Sequence, residues 1–167
     1  MDTTTIILSS IIAVLLAGFL AYIFWLQRKH GVGEEGYDPD TRALRLQAYE
    51  RLTLLVDRIA LPNLISRVSQ AGASARDMQM LLTQTTRQEF DHNITQQIYV
   101  SPEAWAAVKS LKEQNMLAVN QIANTLPPNA SGLDLNKHLL EYLMNDKKGN
   151  LHEMVSEILS YEAKKLL

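Results

Sequence analysis

The sequence predicts an all-α protein: one N-terminal transmembrane helix, then a soluble helical bundle with a long antiparallel helix hairpin. Three observations carry this. Residues 5–26, TIILSSIIAVLLAGFLAYIFWL, hold no charge, and as an α-helix they would extend about 33 Å against a hydrocarbon core of about 30 Å. The rest of the chain repeats apolar residues at three-and-four spacing. No stretch alternates apolar and polar residues between turn signals, so nothing reads as a strand.

Composition narrows the function. Lys plus Arg is 16 and Asp plus Glu is 18, giving a net charge of −2, which argues against a nucleic-acid surface. The chain has no cysteine, so disulfide scaffolds, thiolate metal sites and cysteine nucleophiles are excluded.

The apolar run reads as a retained span, because MDTTT lacks the basic start of a secretory signal. Asp2 precedes the run, and Arg28 and Lys29 follow it. Positive residues stay inside, so the N-terminus is expected outside and the C-terminal domain in the cytoplasm. This gives a short extracytoplasmic tail (1–4), a span (5–26), a juxtamembrane linker (27–40) and a cytoplasmic helical domain (41–167). The expected location is a bacterial inner membrane, with the lipid bilayer as one partner. Ser9, Ala13, Ala17 and Ala21, with Gly18 beside them, form a strip of small residues along which a second helix can approach. The linker HGVGEEGYDPD holds three glycines and a proline and reads as a solvated tether.

The elements of the domain follow in order. Residues 41–60 place Tyr49, Leu52, Leu55, Val56 and Ile59 on one face, and Leu61-Pro62 stops the helix. Residues 63–70 make a short second piece ending near Gly72. Ser74-Ala-Arg-Asp77 has capping-box spacing, and no Gly or Pro interrupts the chain from there to Tyr99. One helix is therefore expected over 75–99, with Met78, Leu82, Thr86, Phe90, Ile94 and Ile98 on its inner face. Ser101-Pro-Glu103 combines a cap, a first-turn proline and an acid at the positive helix end. It opens a helix over 102–126, closed by Pro127-Pro128, with Lys112 as a charged member of its apolar face. The helices over 75–99 and 102–126 form the expected hairpin. Leu135, Leu139, Leu140 and Leu143 mark a helix over 133–144. Asn150-Leu-His-Glu153 has capping spacing before a last helix with Leu151, Val155, Ile158, Leu159 and Leu166 inward.

The densest polar patch is Arg87, Glu89, His92, Asn93, Gln96 and Gln97. Glu89 and His92 have the Glu-x-x-His spacing that puts a carboxylate and an imidazole on one helix face in di-iron bundles, which makes them candidate metal ligands. Such a site needs a second motif and two more carboxylates. His30, His138 and His152 have no Glu three positions earlier. No nucleophile elbow and no phosphate loop after a strand is present. The reading leans away from an enzyme, and no catalytic residue or cofactor is assigned.

The stretches LQAYERLTLLVDRIALPNLISRV, TRQEFDHNITQQIYVSPEAW and LPPNASGLDLNKHLLEYL resemble an uncharacterised family of small single-span proteins of the Bacteroidota. RQEFDHNITQQIYVS and LPPNASG are the most distinctive blocks. The resemblance covers nearly the whole chain and implies a bacterial inner-membrane protein, with no activity attached. The sequence thus points to a membrane-anchored helical interaction or scaffold protein, an accessory subunit of a larger complex or a homo-oligomer, with a protein partner. The alternative is a metal-binding or enzymatic bundle centred on Glu89 and His92.

Overall fold

Six α-helices and one 3₁₀ segment account for the ordered elements among the described residues, and start and stop signals in the sequence divide them. The computed structural model describes Tyr22, residues 38–145 and residues 151–167. Met1–Asp38 and Pro39–Leu167 are separate units, and all six helices belong to the second.

Helix α1, Pro39–Ile59, buries Ala48, Tyr49, Leu52, Leu55, Val56 and Ile59. It breaks at Ala60, whose ψ of 124° leaves the helical region just before the Leu61-Pro62 pair. Helix α2, Leu61–Val68, follows with proline in its first turn. The chain then turns at Gly72, whose φ of 79° lies where glycine is at ease. Helix α3, Ala75–His92, starts on Ser74, whose Oγ accepts from the Asp77 amide at 3.1 Å. Helix α4, Pro102–Thr125, starts on Ser101, whose Oγ accepts from the Ala104 amide at 3.0 Å. Helices α5, Gly132–Asn145, and α6, Leu151–Lys164, complete the unit.

Helix α4 is the shared spine of two cores. One half packs Val108 and Leu111 with Tyr49, Leu52 and Leu55 of α1 and Val155 and Leu159 of α6. The other packs Ala118 and Val119 with Leu64 of α2, Met78 and Leu82 of α3, and Leu135 and Leu139 of α5. Helices α3 and α4 run antiparallel: Phe90 meets Trp105 with ring centroids 5.0 Å apart, while Gln79 donates to Asn120 at 2.8 Å. Lys112 lies along this seam with its ammonium 4.4 Å from the Phe90 ring centroid, keeping its stem on the apolar face.

The starts of α3 and α5 are tied together. Ser131 caps α5 as Ser74 caps α3, its Oγ accepting from the Asp134 amide at 3.2 Å. Gly132 donates to the Ala73 carbonyl at 2.7 Å and Ala75 to the Ala130 carbonyl at 2.9 Å. This makes an isolated antiparallel bridge between Ser74 and Ser131. The same five-residue pattern, Ala-Ser-x-x-Asp, stands at 73–77 and at 130–134.

Two expectations are corrected. The first is the spanning helix. Among the described residues no helix is long and apolar enough to cross a membrane. The two longest, α1 and α4, bury one face in the cores and carry charges such as Arg51, Asp57, Lys109 and Glu113 on exposed faces. Residues 5–21 and 23–26, the strip Ser9, Ala13, Ala17, Gly18 and Ala21, linker residues 27–37 and the Asn150 cap lie outside the described residues. The single-pass fold and the inner-membrane location with a cytoplasmic domain are not carried further. The second is the helix over 75–99. α3 stops at His92, and Ile94–Ile98 is a 3₁₀ segment that buries none of its side chains. Asn93 makes the stop. Its Nδ2 donates to the Glu89 carbonyl at 2.9 Å, satisfying a last-turn acceptor. Three of the next five residues, Ile94, Thr95 and Ile98, are β-branched and favour helix weakly. Met78, Leu82, Thr86 and Phe90 are buried, whereas Ile94 and Ile98 face out.

Tyr49 joins three helices through one hydroxyl. It donates to the Glu162 carboxylate on α6 and accepts from the Ser101 amide at the start of α4, at 3.2 Å. Burial, then the Glu162 carboxylate, pushes its phenol above the usual range. Tyr49→Phe is expected to lower stability by about 1–1.5 kcal/mol, because it leaves two polar partners unsatisfied at little change in volume. Urea denaturation checks this: the midpoint falls and the slope stays constant.

Candidate functional site

The polar patch divides into a structural half and an exposed half. Glu89 ends the α3 face that meets α1 and α2. Arg58 of α1 grips its carboxylate with both arms of the guanidinium, Nε at 2.9 Å and Nη2 at 2.6 Å. Arg67 of α2 adds a contact at 3.2 Å and also donates to the Arg58 carbonyl. The Arg58 hydrogen bond is the main reason the Glu89 carboxyl is held below the usual carboxylate range, and Arg67 acts in the same direction. The Glu89 carboxylate thus joins three helices, Oε1 meeting both guanidinium groups and Oε2 meeting Arg58. Asn93 is buried in the turn just described. Arg87, His92 and Gln97 are exposed, and Gln96 is half-buried, its amide donating to Thr95 Oγ1 at 3.3 Å. Among the described residues no group of three His, Cys, Asp or Glu side chains is placed to hold a metal ion.

Next to this patch the 3₁₀ segment presents Ile94 at 43% and Ile98 at 73% exposure, and Tyr99, which follows it, is 37% exposed. Its backbone is fixed at both ends. The Gln96 amide donates to the Asn93 carbonyl and the Tyr99 amide to the Gln96 carbonyl, each at 3.0 Å. Arg45 of α1 donates to the Tyr99 carbonyl at 3.2 Å.

A second feature has no counterpart in the sequence reading. The Ala60–Asn63 junction, the middle of α4, the end of α5 and the start of α6 enclose a groove of about 500 Å³. Leu61, Leu111, Leu143 and Leu151 supply apolar walls, and Ser110, Gln114, Asn115, His152 and Glu153 are among the residues that supply polar groups. Asn115 is 8% exposed and donates Nδ2 to the Ile59 carbonyl at 2.7 Å. That carbonyl belongs to the last turn of α1 and has lost its helical partner at the Ala60 break. The only hint in the sequence was an asparagine at a position where the α4 periodicity asks for an apolar residue.

Comparison with known proteins bears on the chain as a whole. The model of a family described as a family of unknown function (DUF7935) matches residues 1–166. The chain belongs to this family. That agrees with the uncharacterised family suggested by the RQEFDHNITQQIYVS and LPPNASG blocks. No curated protein matches the chain, and no solved structure does. The family description assigns no role to any residue.

Proposed function

We propose that the helical domain of this DUF7935 member is a protein-interaction module, and that Ile94, Ile98 and Tyr99 form the centre of its contact surface. The observation that carries this is a braced segment that buries none of its own side chains. Single exposed apolar residues are ordinary. Three within six residues, on a backbone fixed from both sides, make a preorganised, exposed apolar stretch of chain. Arg87, His92 and Gln97 are exposed in the same stretch of chain and supply polar groups of the kind that rim an interface core. The net charge of −2 favours a protein partner over nucleic acid. The resemblance to Bacteroidota proteins makes such a bacterium the setting in which to look.

A photo-crosslinking residue in place of Gln97, in the full-length chain in its producing cells, tests the proposal. The expected result is a defined protein adduct that disappears in Ile98→Asp, with stability unchanged within about 0.5 kcal/mol as for other surface substitutions. An adduct to a second copy makes the module a homo-oligomer, and one to another chain makes it an adaptor. No adduct, or one indifferent to Ile98→Asp, removes this surface from consideration.

A further inference from the structure

Asn115 has a second polar atom that the fold leaves unused. The Ile59 carbonyl can only accept, so Asn115 must turn its NH₂ toward it, and this fixes the amide orientation. Oδ1 then points away. It takes no hydrogen bond from any described residue and is not among the sealed, unpartnered polar atoms. Asn115 lines the groove, so this acceptor is open to whatever enters there. A side chain that is more than nine-tenths buried therefore presents one fixed acceptor beside the apolar side chains of Leu61, Leu111 and Leu143.

The surroundings select the ligand. A volume of about 500 Å³ falls within the range of about 300–1,000 Å³ typical of small-molecule sites. No Lys or Arg lines the groove among the described residues, and the carboxylate on its lining is Glu153, on the first turn of α6. Among the described lining residues an anion would meet the Glu153 carboxylate, with the His152 imidazole beside it. A donor or a cation would meet two acceptors. We propose that this groove is a binding site for a small apolar molecule bearing an N–H donor, an amine in particular. Its N–H is accepted by Asn115 Oδ1 and its body is covered by Leu61, Leu111 and Leu143. This site is separate from the 3₁₀ surface and does not rest on the interaction reading.

The test uses the full-length chain and three probes of one shape. N-phenyl-1-naphthylamine has the apolar body and the N–H. 1-Benzylnaphthalene has the body without the donor. 8-Anilino-1-naphthalenesulfonate has both and adds an anion. The amine is expected to bind at least about tenfold more tightly than either of the others, since an unmade hydrogen bond to a buried acceptor, or an unpaired charge, is worth at least that factor. Fluorescence titration reads the amine and the sulfonate, and displacement of the amine reads the hydrocarbon. Asn115→Leu removes the acceptor but also strands the Ile59 carbonyl, so Ser110→Trp is the cleaner variant. Ser110 is exposed on the groove lining, and a tryptophan there fills the opening from outside the core. Amine affinity is expected to fall at least about tenfold in Ser110→Trp, with the urea midpoint unchanged. Equal binding of the three probes, or amine binding indifferent to Ser110→Trp, overturns the proposal.

Discussion

Replacing Gly132 by valine is expected to lower stability by about 2–3 kcal/mol, at the upper end of overpacking costs. Gly132 opens α5 and is buried against α3. A Cβ there would stand 3.1 Å from the Ala73 carbonyl oxygen and 3.2 Å from Met78 Cβ. One of those neighbours is backbone and the other is the root of a fully buried side chain, so neither yields easily. Alanine sets this crowding against a gain of about 1 kcal/mol from better helix propensity. Gly132→Ala should therefore change stability little. Valine adds two methyl groups in the same gap and gains less from propensity. To fit, the strand-like contact must open, which loses the 2.7 Å bond from Gly132 to Ala73. A urea series on wild type, Gly132→Ala and Gly132→Val checks the ordering. Equal loss in both variants would mean that the first Cβ, not the branch, is decisive.

That bridge also marks where sequence reasoning stops. Caps are local, and local signals read well. Ser101-Pro102-Glu103 starts α4 at the expected residue, and Ser74 with Asp77 starts α3. The buried face of α1 is the one its spacing predicts, since burial follows the helical period. The pairing of residues 73–75 with 130–132 is not local. The repeated Ala-Ser-x-x-Asp was visible, but nothing in one sequence says that two such caps face each other. The stop at His92 was missed because it depends on a side chain, Asn93, folding back on Glu89, with Arg45 of α1 holding the far end at Tyr99. The groove was missed for a related reason: its walls come from four separate segments of chain, and only packing assembles them. The stretch at 5–26 reads as a span from its length, its lack of charge and its flanking residues, whereas among the described residues no helix is long and apolar enough to cross a membrane.

Glu89→Gln is expected to lower stability by about 2 kcal/mol at neutral pH. The value is set between two limits. An exposed ion pair contributes at most about 1 kcal/mol, and breaking a fully buried pair costs about 3–5 kcal/mol. The Glu89 side chain is 16% exposed, whereas those of Arg58 and Arg67 are 43% and 33% exposed, so solvent screens one side of the pair. Glutamine keeps the shape but removes the charge that holds two guanidinium groups between α1, α2 and α3. The pH dependence follows from the sign of the shift. Glu89 is held below its ordinary value of 4.5, chiefly by Arg58. Its contribution is complete above that value and is lost as pH falls through the lower, folded-state value. The gap between wild type and Glu89→Gln should therefore persist from neutral pH to about 5 and close progressively in acid. A double-mutant cycle with Arg58→Ala should return a coupling of about 1–2 kcal/mol at neutral pH, as expected for groups in direct contact. The same measurements bear on the Glu-x-x-His spacing. His92 is exposed, and His92→Ala should move stability by less than about 0.5 kcal/mol. Large coupling of Glu89 to Arg58 with none to His92 would assign this carboxylate to the joint between three helices. Coupling to His92 larger than that to Arg58 would overturn this assignment.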